Sequence, residues 1–522
     1  MRARAVALAL GAAHAASFAP LSLWWLQLAV LATFFGWSAA RQRRSPDPWR
    51  AAVDAWWFGL AWFGVGICWL FISMYRYGGL PAPLAAFAVV VFAAGLAIFP
   101  ALAHAAAFAL AREKPGLALA VATAGTWTLA ELARGYVFTG FPWLAIGYGQ
   151  VDGPLAGLAP IAGVYAVGLG ATLTAALAAA SWPARSTAAP PQAPAARIAA
   201  ALAALAVLVA AGAASALRFA EPYGEPLTVR LLQGNVPQHL KFEPNRALAA
   251  MQMYTELIEA APAQLTILPE TAWIVPWSGT PPRIAHRIED YVRSNGAAVA
   301  IGMPLPVDSP EGTLANSVLV LTPATVADPR AAAPRYDKRH LVPFGEFIPL
   351  GFGWFVGLMD IPLGEFARGA SDQPPIEVAG QRIGFNVCYE DLFGEKIAVA
   401  VGGARGATVL ANVSNLAWFG DSHALPQHLQ IARMRSLETQ RPMLRATNTG
   451  VTAAIDADGT VIGRLPTATA GVLAVTVQGR SGLTPFVRFG NGPAAAAASI
   501  AVLLAALLGP AARILNSATR GS

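Results

Sequence analysis

Apolar runs rich in Ala, Leu, Val, Phe and Trp alternate with short polar connections over the first part of the chain. Seven such runs, at about 5–19, 21–40, 51–73, 82–111, 117–134, 154–181 and 197–217, come near the roughly 20 residues that a bilayer core requires. One more covers about 493–512. The pattern predicts eight membrane-spanning helices, seven before a soluble part and one after it. The first run follows Arg2 and Arg4 as a signal peptide would, but the next starts at Leu21 without a break, which predicts a helical hairpin.

From Pro226 the period changes. Strand-like runs fall at 227–236, 264–269, 297–304, 315–321, 382–387, 408–413, 443–447, 451–455 and 471–477, with amphipathic helical stretches at 244–261, 281–294, 394–403 and 425–440 between several of them. This alternation predicts an α/β sandwich built on a mixed sheet. The expected domains are therefore 1–220 as a helical membrane domain, 226–482 as the α/β domain and 493–515 as a C-terminal membrane helix.

Composition agrees with a bilayer as solvent for much of the chain: 56% of residues are hydrophobic, 12% are charged, and the mean hydropathy is +0.50. The net charge of +7 does not point to nucleic acid, because the basic residues of the apolar region lie in its connections. With the N-terminus inside, Arg41, Arg43, Arg44, Arg50, Arg112, Lys114, Arg185, Arg197, Arg513 and Arg520 fall on the inner side, against Arg76, Arg134 and Arg218 on the other. That bias predicts cytoplasmic termini and a soluble domain outside the cytoplasmic membrane.

There are two cysteines. Cys68 lies in the apolar run Val65-Gly66-Ile67-Cys68-Trp69-Leu70 and reads as an inert buried thiol. Cys388 is the sole cysteine of the soluble part, which can therefore hold no internal disulfide. It stands where the strand pattern Ile383-Gly384-Phe385-Asn386-Val387 breaks into the polar turn Tyr389-Glu390-Asp391, a position that suits either packing or a nucleophile. Glu270 ends the apolar run 265–269, where a carboxylate has no packing role. Burial there is expected to raise its pKa and fit it for general-base work, the alternative being an exposed turn carboxylate. Lys338 is either a solvated turn residue or a fixed ammonium that favours a thiolate and stabilises an oxyanion. Glu346 could orient it. His340 ranks below Glu270 as a base. No metal-ligand spacing and no phosphate-cradling Gly-rich loop appears, so no metal or other cofactor is expected.

Two aromatic stretches remain. The loop 140–150, with Phe141-Pro142-Trp143, reads as an interfacial belt or the lining of a lipid entry site. The stretch 349–359, with Trp354 and Phe355, reads as a lid dipping into lipid or as a buried loop.

In chain order, Leu268-Pro269-Glu270, Tyr336-Asp337-Lys338 and Asn386-Val387-Cys388-Tyr389-Glu390 resemble the Glu-Lys-Cys signature of the nitrilase, or carbon–nitrogen hydrolase, superfamily. With the flanking spans, and with 232–238, 340–346, 418–422 and 433–438, the chain is similar along its whole length to the apolipoprotein N-acyltransferase family of the bacterial inner membrane. The resemblance implies a nitrilase-like αββα sandwich on the periplasmic side. It implies Glu270 as general base, Lys338 as oxyanion stabiliser and Cys388 as nucleophile, with Glu346, Tyr389 and Glu390 supporting the site. It further implies a ping-pong reaction through a Cys388 thioester, with a phospholipid as acyl donor and a diacylglyceryl apolipoprotein as acceptor. Phe242, Trp143, Trp354, Phe355 and Trp418 are the expected lipid contacts, and a monomer is the expected state. Two positions depart from the family pattern: Phe242, where Trp is frequent, and Leu416, where Asp is usual. Two other readings compete. A membrane-tethered amidase would need only one span, and a transporter would carry more charge within its spans than Glu131 and Asp54.

Overall fold

The computed structural model describes residues 1–42, 47–111, 116–182, 193–238, 241, 243–307, 313–328, 330–349, 351, 353–357 and 366–508. They form two units: Met1–Cys68, Ala86–Leu217 and Phe489–Ser522 make one, and Trp69–Ala85 with Arg218–Arg488 make the other. The segment Trp69–Ala85 thus packs with the α/β part, whereas the apolar pattern alone assigns it to the membrane domain.

Each of the eight apolar runs is helical, the helices being Arg2–Ala15, Trp24–Gln42, Pro48–Gly66, Ala82–Leu110, Leu117–Arg134, Ala159–Ser181, Pro194–Ala214 and Gly492–Leu508. Among the described residues only Ala82–Leu110, Pro154–Ser181 and Pro194–Ala214 are long and apolar enough to cross a bilayer by themselves, and Pro48–Gly66 with Leu70–Tyr77 adds a fourth if that pair, bent by 60°, is one span. The shortfall from eight has two causes. Arg2–Ala15 has 14 residues and Gly492–Leu508 has 17. The helices Trp24–Gln42 and Leu117–Arg134 carry buried polar side chains, among them Gln27, Ser38, Thr126 and Glu131, which lower their hydropathy.

Aromatic rings fill the middle of this helical unit: Phe34 stacks on Phe58 at 4.4 Å, and Trp62 and Trp127 are fully buried. Gly11 permits a close helix approach, because a Cβ there would lie 2.0 Å from the Phe58 carbonyl oxygen. The acidic residues of the spans are paired rather than isolated. Asp54 accepts from Arg41 at 3.0 Å, and Glu131 faces Arg134 at 3.3 Å. Cys68 is exposed where the chain turns between helices, not buried.

Among the described residues of the α/β unit, the strands form two six-stranded sheets and one small two-stranded sheet, Glu221–Pro222 with Arg480–Ser481. The first runs in the order Gly471–Val477, Leu227–Gln233, Leu265–Ile267, Ala298–Pro306, Leu314–Leu321 and Arg335–Asp337. The second runs in the order Val461–Arg464, Ala453–Ile455, Met443–Thr447, Val409–Ser414, Gln381–Val387 and Ile376–Val378. The middle of each sheet is parallel and its edges are antiparallel. The period of two divides each strand between two cores. Ala298 and Ala300, Val318 and Val320, and Phe385 and Val387 point between the sheets. Val299 and Ile301, and Leu319 and Leu321, point outward to the helices Pro244–Glu259 and Pro282–Asn295. The second sheet packs its outer face against Gly394–Val401 and Ala424–Thr439. The result is the αββα sandwich expected from the sequence. Three strands of these sheets, Arg335–Asp337, Ile376–Val378 and Val461–Arg464, had no sequence signal, being short edge strands of three or four residues.

Candidate active site

Lys338 and Cys388 directly follow the strands Arg335–Asp337 and Gln381–Val387, and Glu270 comes three residues after the end of Leu265–Ile267. Parallel strands deliver the residues after their carboxyl ends to one edge of the sandwich, where ligands bind in open α/β sheets. Asn415 and Asn448 follow Val409–Ser414 and Met443–Thr447 in the same way.

The local backbone is built for this. Gly302 lies under the chain at Pro269, and a Cβ there would be 2.2 Å from the Pro269 carbonyl oxygen, so only glycine lets Glu270 descend into the site. Cys388 has φ +53°, in the left-handed region that non-glycine residues rarely occupy. The turn is held there by Glu390, whose carboxylate is buried. It accepts from the Val387 N–H at 2.7 Å, from the Arg339 and His340 N–H groups at 2.8 and 3.0 Å, and from the Tyr336 hydroxyl at 2.9 Å. One carboxylate thereby ties the Cys388 turn to the segment that carries Lys338.

The charges form a closed set. Lys338, 1% exposed, places its Nζ 3.3 Å from Glu270 Oε1 and 3.0 Å from the Glu346 carboxylate. The Asn316 amide donates to both carboxylates, at 2.8 Å to Glu270 and 2.7 Å to Glu346. Glu270 Oε2 accepts the Asn415 N–H at 2.8 Å across the sandwich, and Glu346 Oε2 accepts the Val342 N–H at 2.8 Å. Lys241 donates to Thr271 Oγ1 at 2.6 Å beside Glu270. Burial lowers the Lys241 pKa to about 8, with Glu270 opposing it.

These surroundings reverse the expected titration of Glu270. Burial does push its carboxyl up, but the Lys338 ammonium, the Asn316 amide, the Asn415 N–H and Lys241 together hold it below the ordinary value of 4.5. Burial weakens the Lys338 ammonium, but Glu270 and Glu346 outweigh it, so its pKa rises. Cys388 does not rest as a thiolate: burial and then Glu270 push its thiol well up, and Lys338 offsets only part of this. The resting state is a thiol beside an ionised carboxylate. His340 is held neutral by burial and by Lys396, at about 3, and its ring lies 3.8 Å from that of Phe393.

Tyr389 is buried beside His340. Leu416 packs with Ile397 and Leu425 in the apolar core beneath the second sheet, so no polar role falls on it. Trp418 is half-buried, with the Tyr77 ring edge-on at 5.5 Å, and Trp354 is 69% exposed. Trp143 is 3% exposed inside the helical unit, its carbonyl accepting from Arg134 at 2.8 Å, so its ring is not on a lipid-facing surface. Phe242 and the side chain of Phe355 lie outside the described residues, as do Leu350, Phe352, Leu358 and Met359 of the 349–359 stretch.

Sequence reasoning missed Asn316, Asn415 and Lys241. Asn316 did carry a signal, as the one amide in a mostly apolar strand. Replacing it with leucine is expected to leave two buried carboxylates short of a donor and to lower stability by about 1–3 kcal/mol, read as a drop in melting temperature.

A two-sheet sandwich with Glu, Lys and Cys gathered at its strand ends defines a carbon–nitrogen hydrolase domain, and residues 228–486 match the family model described as carbon-nitrogen hydrolase. Residues 10–177 match a second model, the apolipoprotein N-acyltransferase N-terminal domain. The chain is 48% identical to the apolipoprotein N-acyltransferase of Ralstonia nicotianae, over 95% of this chain and 92% of that one. It is 44% identical to that of Bordetella bronchiseptica, covering 97% and 96% of the two chains, and 40% identical to that of Nitrosomonas europaea, covering 93% of each. The chain belongs to the apolipoprotein N-acyltransferase family.

Proposed function

We propose that this enzyme moves an acyl chain from a phospholipid to the α-amine of the diacylglyceryl-cysteine at the N-terminus of an apolipoprotein, through a thioester on Cys388. The observation that carries the reading is the buried Glu270–Lys338–Glu346 set beside a thiol held at a left-handed strand end.

Glu270 takes the thiol proton as the sulfur attacks the ester carbonyl. The oxyanion that forms is met by the Lys338 ammonium, which is already desolvated and needs no reorganisation. The ester C–O bond then breaks, and the lysophospholipid oxygen takes the proton back from Glu270. In the second half the lipoprotein amine attacks the thioester carbonyl and yields a proton to Glu270. The C–S bond breaks, the sulfur is reprotonated, and the triacylated product leaves. Glu346 and Asn316 hold Lys338 and Glu270 in register throughout. Glu270 is 7% exposed and Lys338 1%, which supports a site that keeps water from the thioester.

The helical unit, in this reading, crosses the bacterial inner membrane eight times, and the protein works as a monomer. The basic connections support a periplasmic α/β unit, on the side of the leaflet that would hold both substrates. Trp354 and Trp418 are the described aromatic residues proposed to meet lipid.

The test is intact-protein mass spectrometry. Phospholipid alone should add one acyl chain, located on the Cys388 peptide, and a diacylated lipopeptide should discharge it. Absence of an adduct in the wild-type protein with donor lipid and no acceptor would overturn the reading. The pH profile supplies a second check. Because Glu270 is held below 4.5, it stays an ionised base as the pH falls from neutrality and is lost only below that ordinary carboxylate value. The acylation rate is therefore expected to show no acid limb near neutral pH, and a limb there would assign the base to another group.

A further inference from the structure

Behind the Cys388 turn lies a buried ionic cluster that the reaction scheme does not use. Asp391 sits on the same turn, His428 on the helix Ala424–Thr439, and Arg445 on the strand Met443–Thr447. All three are fully buried. Arg445 donates to Asp391 Oδ2 at 2.7 Å and reaches His428 Nδ1 at 2.5 Å, while His428 Nε2 lies 2.9 Å from Asp391 Oδ1. A guanidinium can only donate, so Nδ1 is the lone-pair side of the ring and the proton is on Nε2. The His428 ring lies next to the Cys388 main chain. From the neighbouring strand, Asn412 donates to the Cys388 carbonyl at 3.1 Å.

The backbone at Cys388 has to be held in a conformation that its side chain disfavours. Glu390 ties the turn to the segment that carries Lys338, and Asp391 ties it to the helix Ala424–Thr439 and the strand Met443–Thr447. Burying three ionisable groups is costly, and an apolar trio would fill the same space at least as stably, so their retention calls for a role in geometry rather than in stability.

We propose that Arg445, Asp391 and His428 are positioning residues for the nucleophile: Arg445 fixes the His428 tautomer, and His428 and Asp391 hold the Cys388 main chain so that its sulfur faces Glu270 and Lys338. This rests on Cys388 being the nucleophile. The cluster also acts on the thiol by charge, because Asp391 adds to the negative groups, Glu270 and Glu346, that Cys388 faces against Lys338.

The experiment uses the full-length protein with Cys68→Ala, since Cys68 is exposed and would be alkylated too. It reads two quantities, acyl-adduct formation from phospholipid and the pH midpoint of Cys388 alkylation by iodoacetamide. His428→Leu should slow adduct formation by about a hundredfold, as expected for a displaced nucleophile, and His428→Gln, which keeps a donor, should restore most of the rate. Asp391→Asn should slow the adduct and shift the alkylation midpoint to lower pH, which a purely structural loss would not do. An unchanged adduct rate in His428→Leu overturns the proposal, as does an unmoved midpoint in Asp391→Asn. If His428→Leu does not fold, the Asp391→Asn midpoint decides. Failure of the nucleophile assignment would look different, with lipid transfer persisting in Cys388→Ala.

Discussion

Replacing Cys388 by alanine is expected to remove the acyl adduct and to cut lipid-to-peptide transfer by about 10⁴-fold or more, because the whole reaction passes through one sulfur. The fold should survive. The thiol is half-buried, makes no ion pair, and sits on a turn held by the Glu390 carboxylate and the Asp391 cluster, so the stability change should stay within about 1 kcal/mol. Serine separates nucleophilicity from shape. It fills the same space, but its hydroxyl is far harder to deprotonate than a thiol, so a Cys388→Ser protein should match the alanine variant in rate and the wild type in melting temperature. Adduct mass, transfer rate and thermal melting measured on the same preparations check this. An adduct that persists in the alanine variant would put the nucleophile elsewhere.

Lys338→Met should produce the second large effect, for two reasons that can be measured apart. The oxyanion loses its donor, which is expected to slow acylation by about 10²–10³-fold. Glu270 and Glu346 also lose the cation between them while both still bind Asn316, leaving two carboxylates buried close together. Breaking a buried pair in this way is expected to cost about 3–5 kcal/mol, seen in denaturant melts. The sign of the accompanying pH change follows. Lys338 is the strongest of the groups holding Glu270 down against burial, so its removal raises the Glu270 pKa. The residual activity should then fall off at a higher pH than in the wild type. In the wild type, a carboxylate held low in the fold stabilises it above the unfolded pKa, and this contribution fades as the pH drops through the folded value. With that pKa raised in the variant, this contribution is missing, so its destabilisation should be largest near neutral pH and shrink as the pH falls. A residual rate with an unmoved acid limb would show that Lys338 does not act on Glu270.

Much of this architecture was legible from periodicity. The run Leu265-Thr266-Ile267 ends at Glu270, and the alternation Ile383, Phe385, Val387 ends at Cys388, as their burial between the sheets requires. Strand and helix positions follow from side chains a few residues apart, which is local information. The order of the Glu, Lys and Cys motifs was equally readable, and so was Glu346 as a partner for Lys338, eight residues away. The edge strand Ile376–Val378 was not, because three residues are too few to carry a period.

By itself, the sequence determined the two kinds of solvent this chain meets, the αββα layering, the family and the three residues gathered at the strand ends, since apolar spacing and motif order are properties of neighbouring positions. Only the tertiary structure decided how those residues titrate. The charge on Glu270 depends on Lys338, 68 positions away, and on the Asn415 N–H, 145 positions away. No local pattern encodes such distances, and so burial alone gave the wrong direction for its pKa. The same holds for Trp143, whose side chain is buried in the helical unit, and for Asp391, His428 and Arg445, three unremarkable residues along the chain that become one buried cluster beside the Cys388 turn.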